Sequence, residues 1–166
     1  MSTPASVLRE AFERHSWATV KLLDHLETQD PELLAHGVPG TYGPILETLT
    51  HLVDADDRYL LRMDEPTIPP YEPKPPLAVA QLRDRVREHA QRWAEMLDRL
   101  DTGELHARIQ GNESDDPGID PAETLLLLQA LHHGDDHRAQ VCSTLGSLGL
   151  QVPDLDVWAY WDEGRG

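Results

Sequence analysis

The chain has 166 residues, a single cysteine, 30 Asp and Glu against 14 Lys and Arg, and a formal net charge of −16. That length suits one domain with one core, and a field of that sign repels phosphate backbones and anionic lipid, which excludes nucleic acid and membrane surfaces as partners. The lone Cys142 excludes an internal disulfide framework and any cysteine-rich zinc site, so a bound metal must rest on histidine and carboxylate.

The N-terminus, MSTPASVLREAFERHSW, brings charges within its first ten residues and has no apolar stretch of secretory type. No later run is long enough to span a bilayer, and a cytoplasmic protein is expected. Apolar residues recur near a 3.6-residue spacing in four segments, with no alternating strand pattern, which predicts an all-α fold. The first helix runs from about Pro4 to Glu27, with Leu8, Phe12, Ala18, Leu22 and Leu26 inward. After a connection from Asp30-Pro31 to Gly43, the second helix opens at Gly43-Pro44, with proline at the first helical position, and runs to about Met63. His51 lies in its second turn, close to the stripe of Leu49, Leu52, Ala55 and Tyr59.

Residues 64–76, DEPTIPPYEPKPP, hold too much proline to be helical. Extended at ~3.1 Å per residue they could reach ~40 Å, beyond the ~30 Å of a twenty-residue helix, so the third helix need not be antiparallel to the second. That third helix, about Leu77 to Leu100, has the cleanest stripe: Val79, Leu82, Val86, Ala90, Trp93, Leu97 and Leu100. An acidic loop follows over residues 101–119, and Asp120-Pro121-Ala122-Glu123 reads as a capping box opening the fourth helix, which Gly149 stops. The tail, VPDLDVWAYWDEGRG, has enough aromatic area to dock on the bundle, and Trp17, Trp158 and Trp161 read as core or docking residues.

The fourth helix carries the chemistry. His133 and His137 are four apart and share a face with Leu126, Ala130, Val141 and Leu145, so both imidazoles are expected to point into the bundle. Nine histidines give an i,i+4 pair by chance in ~0.5 instances, so the spacing alone is weak. It gains weight from the inward face and from His51 on another helix, since three imidazoles would leave a fourth position of a metal ion open, the arrangement used to activate a water or a thiol. His132 is about 100° around the helix and reads as a surface residue. His15 reads as a hydrogen-bonded core histidine, His25, His36, His89 and His106 as ordinary, Asp54, Asp56, Asp135 and Asp136 as solvated acidic groups, and Cys142 as packed off the metal face. No Glu-x-x-His pair exists for a carboxylate di-iron site, and HGDDH lacks the glutamate of a zincin.

On these residues the chain resembles the DinB/YfiT-like family of four-helix metalloenzymes. HSWATVKLLDHL is similar to the family's first helix, GTYGPILETLTHLVDADDRYLLRM to its second, and HHGDDHRAQVCSTLGSLGLQVPDLDVWAY to its fourth helix and tail. The resemblance implies a four-helix bundle in up-down-down-up order with a docked C-terminal tail or short helix over residues 1–166, and a three-histidine metal site on His51, His133 and His137. It also implies zinc or nickel as the divalent ion, homodimers, and thiol-dependent transfer or isomerisation of a small-molecule substrate with mycothiol or bacillithiol. A hydrolase is the variant of that activity. A non-catalytic metal- or ligand-binding dimeric module and a purely structural bundle are the other readings. Many members carry a histidine directly before the last ligand, where this chain has Asp136.

Overall fold

A computed structural model describes residues 4–65, 69–72, 75–102 and 123–164. The elements are α1 (Pro4–Glu27), a 3-10 turn (Pro31–Ala35), α2 (Ile45–Asp64), α3 (Val79–Asp101), α4 (Glu123–Ser147) and α5 (Val157–Glu163), with no strand among the described residues. The expected cap at Asp120-Pro121-Ala122, the loop residues 103–119 and His106 lie outside the described residues.

Helix boundaries follow local chemistry. Pro44 is the residue before α2 rather than its first residue, because its ψ of 152° is extended; only from Ile45 is the chain helical. α3 likewise begins at Val79, two residues later than its periodicity suggests. Ala78 N donates to Gln81 Oε1 at 3.0 Å and Leu77 N to Thr50 Oγ1 at 3.2 Å, so the residues before α3 are held by side chains instead of by a helical turn. α4 ends at Ser147 and is closed off, as expected, by Gly149, whose φ of 72° lets Leu150 N reach back to Leu145 O at 3.1 Å. Asp156 caps α5 by accepting from Ala159 N at 2.8 Å.

Each long helix packs on two others: α1 against α3 and α4, and α2 against α3 and α4. The buried apolar residues fall into two clusters. One joins Leu22 and Leu26 of α1, Leu49 and Leu52 of α2, Leu82 of α3, and Val141 and Leu145 of α4. The other joins Phe12, Leu60, Trp93, Leu97, Leu126 and Ala130. Along each of the four long helices the residues that separate the clusters include buried polar ones: His15 and Thr19 in α1, Asp54 and Asp56 in α2, His89 in α3, His137 and Arg138 in α4. A polar layer therefore crosses the middle of the bundle. Groups of this kind are stable there only if they find partners, and their partners come from distant parts of the chain.

The tail departs from expectation. Tyr160 is buried and its ring meets Trp17 of α1 at 5.4 Å, while Lys21 pairs with Glu163 at 2.5 Å. Trp158 and Trp161, expected in a core or a docked contact, are 76% and 58% exposed. On a helix as short as α5 one face meets α1, and both tryptophans sit on the other.

Candidate metal centre

His51 of α2 and His133 and His137 of α4 come together as their positions suggested. Their ligand atoms all lie within 4.8 Å of one another, and this group could hold a metal ion. His133 Nε2 is 3.1 Å from His51 Nε2 and 3.1 Å from His137 Nε2. Ligands placed ~2.0–2.1 Å from one ion at near-octahedral or tetrahedral angles are about 2.8–3.4 Å apart, so both of these separations fit a first-row divalent ion.

Proton placement sharpens this. Gln140 Oε1 accepts from Tyr42 N at 2.8 Å, and Gln140 Nε2 donates to Asp136 Oδ2 at 2.8 Å, which fixes the amide with its oxygen toward His137. His137 Nδ1, 3.2 Å from that oxygen, must be the donor. The Nε2 of a neutral His137 then offers a lone pair to the centre of the triad, and a single proton on His133 Nε2 could not serve both of its 3.1 Å neighbours with good geometry. A cation at the centre would satisfy all three nitrogens.

Aromatic rings wall the site. Tyr42, from the connection before α2, stacks on His51 with centroids 4.1 Å apart and planes 10° apart, and meets His137 edge-on at 5.4 Å. Tyr59 meets His133 edge-on at 6.0 Å, and burial raises the pKa of its phenol. These contacts restrict rotation of the imidazoles.

Burial, then the charge of His137 and His51, lowers the pKa of His133 to about 4. Burial and His137 likewise lower that of His51, against the opposing charge of Asp54. Both shifts keep the rings neutral near pH 7, which is the form that ligates. They also set an acid limit on the metal-free protein. His133 titrates near 6.5 when unfolded and about 4 when folded, so its contribution to stability is complete above about 6.5 and is lost as pH falls toward 4. Thermal melts of chelator-stripped protein should therefore show a falling midpoint across that window, and a flat profile there would contradict the buried placement of His133.

The remaining polar groups divide between expectation and correction. His15 is a buried, hydrogen-bonded histidine as read from the sequence, with Nε2–H donating to Asp56 Oδ2 at 2.8 Å. His132 is exposed. Asp54 and Asp56, expected in solvent, are each 3% exposed, because Arg85 reaches Asp54 at 3.3 Å and His15 reaches Asp56. His89, read as ordinary, is buried and bonds Asp57 at 2.8 Å. Asp135 is more than a solvated edge: Arg14 and Arg138 hold it at 2.6 and 2.7 Å, and although burial pushes its pKa up, the hydrogen bonds and charge of the two guanidinium groups bring it below the ordinary value. Asp136 touches the triad through Gln140, a residue the sequence reading did not single out although it lies one turn beyond His137. Cys142 is half-buried against the first apolar cluster, as expected.

With this geometry in place, comparison with protein families finds that the model of the DinB superfamily matches residues 11–141. The chain belongs to the DinB superfamily. The matched span contains most of α1, all of α2 and α3, and the part of α4 that carries His133 and His137, so the three histidines of this DinB-type bundle lie within it. No curated protein matches the chain.

Proposed function

We propose that this DinB-superfamily chain is a cytoplasmic, single-domain metalloenzyme, a thiol-dependent S-transferase or isomerase in which His51, His133 and His137 hold zinc or nickel through their Nε2 atoms. The observation that carries the reading is the convergence of three Nε2 atoms, with His137 Nδ1 already committed to Gln140. The ion would supply Lewis acidity at a position left open by three protein ligands, favouring the ionised form of a low-molecular-weight thiol such as mycothiol or bacillithiol. The protein's own part is to keep His51 and His133 neutral, to hold the imidazoles between Tyr42 and Tyr59, and to leave room for a small electrophilic substrate. The bundle runs up-down-down-up in this reading. Arg9 of α1 with Asp98 of α3, and Leu77 before α3 with Thr50 of α2, support antiparallel α1 and α3 beside parallel α2 and α3.

One set of observations favours a second reading, a non-catalytic metal- or ligand-binding dimer. Val7, Leu131, Val157 and Trp161 line one cleft between α1, α4 and the tail, and Val7, Val157 and Trp161 are largely exposed, a surface suited to a second copy. The two readings separate in one assay. Zinc- or nickel-loaded protein is given each thiol with a panel of electrophiles, and conjugate formation is followed by mass spectrometry. The enzyme reading expects turnover that disappears in His51→Ala; retained metal with no turnover for any pair would favour the binding module.

A further inference from the structure

Buried polar atoms without a partner are uncommon, and among those in and around the polar layer one belongs to a triad histidine and another to a carboxylate on α2. His133 Nδ1 and Asp56 Oδ1 are both buried and make no hydrogen bond. Asp56 is 3% exposed, and its other oxygen is engaged by His15.

Contacts from two helices bring the carboxylate close to the ligand-bearing part of α4. His15, which holds Asp56, lies against Gly134, the residue after His133: a Cβ at Gly134 would stand 2.3 Å from His15 Cε1. Tyr59, one turn beyond Asp56 on α2, meets the His133 ring edge-on. The charge of Asp56 is felt at His133, where it opposes the effect of burial. Asp56 is itself fixed from behind. Arg138 Nη1 bonds Thr19 Oγ1 at 2.8 Å and lies 3.4 Å from His15 Nδ1, which must accept because its Nε2–H is given to Asp56.

A histidine that offers Nε2 to a metal carries its proton on Nδ1, and that N–H needs an acceptor to hold tautomer and ring orientation. His137 has one in Gln140. We propose that Asp56 is the corresponding positioning residue for His133: its Oδ1 receives, across one ordered water, the Nδ1–H of His133, and so fixes the tautomer that presents Nε2 to the ion. One water donating to Asp56 and accepting from His133 satisfies both orphaned atoms, and water-bridged contacts of this kind are nearly as good as direct ones. The carboxylate would also add negative charge to the surroundings of a bound divalent cation. This inference rests on the reading of the triad as a metal site.

The test uses Asp56→Asn, which keeps an acceptor for His15 and a similar shape. Zinc affinity is measured by competition with a chromophoric chelator, and the histidine nitrogens by 15N NMR of zinc-loaded protein. The expected result is a loss of about 10–100-fold in affinity, the usual effect of removing a partner of a ligating histidine, with faster solvent exchange of the His133 Nδ1–H and an unchanged His137 signal. An affinity within about twofold of wild type and an unaltered His133 signal would overturn the role of Asp56 while leaving the metal site standing. Wild-type protein that takes up no zinc would overturn both. Should the variant fail to fold, the wild-type spectrum decides: the proposal requires an exchange-protected Nδ1–H on His133, and a proton on Nε2, or exchange as fast as in an exposed imidazole, would overturn it.

Discussion

Alanine in place of His137 should weaken zinc or nickel binding by about a thousandfold. Structural zinc sites are worth roughly 10–16 kcal/mol in all, so each of three or four ligands accounts for about 3–4 kcal/mol, and three decades of affinity correspond to about 4 kcal/mol. His137 is suited to show the full effect because it is buried and its Nδ1 is held by Gln140. The same change should move the metal-free protein in the opposite sense at low pH. Its charge is the second cause, after burial, of the lowered His133 pKa, so its removal lets that pKa rise toward 6.5 and narrows the acid-sensitive window. Chelator competition and melts of stripped protein at several pH values read the two effects separately. Metal affinity within about tenfold of wild type would show that the ion, if bound, is held elsewhere.

The second large effect is at Gly134. Helix propensity alone predicts that Gly→Ala in the middle of α4 stabilises by about 1 kcal/mol. Packing predicts the reverse. The new methyl would lie 2.3 Å from His15 Cε1, 2.6 Å from His15 Nδ1 and 2.9 Å from Arg138 Nη1, and His15 is 2% exposed and tied to Asp56. Overpacking of this kind costs typically 1–3 kcal/mol, more where the neighbour cannot move. A net loss of about 2 kcal/mol, or roughly 4–8 °C in melting temperature for a domain of this size, is expected for Gly134→Ala. Gly146→Ala in the same helix supplies the contrast. Its Cβ would meet only Val152 Cγ2 at 3.8 Å, so the propensity gain should survive as a stabilisation of about 0.5–1 kcal/mol. Equal and positive effects at the two sites would mean that His15 does not lie against α4.

These two sites also mark where sequence reading succeeds and where it stops. The triad was legible because it follows periodicity: His133 and His137 sit on the stripe of Leu126, Ala130, Val141 and Leu145, and all four of those apolar residues are buried. α1 and the C-terminal end of α4 could be bounded within a residue or two from apolar spacing and from Gly149. What periodicity cannot carry is a partner far away in the chain. Asp54 and Asp56 look like solvated carboxylates until Arg85 and His15 are folded against them, and His89 looks ordinary until Asp57 arrives from α2. Gly134 reads as a weak point in a helix until the His15 ring fills the space beside it. Trp158 and Trp161 fail for the converse reason: aromatic composition says that a tail can dock, but a short helix has only one face to dock with, and Tyr160 takes it.

The central claim is that three histidines from two helices make one metal site, and metal content per chain measures it most directly. Protein made without a histidine tag should carry about one zinc or nickel per chain by mass spectrometry, and the His133→Ala/His137→Ala double variant none. A folded wild-type protein that stays free of metal, even after incubation with zinc or nickel, would contradict the account and leave the three imidazoles as members of a polar layer only.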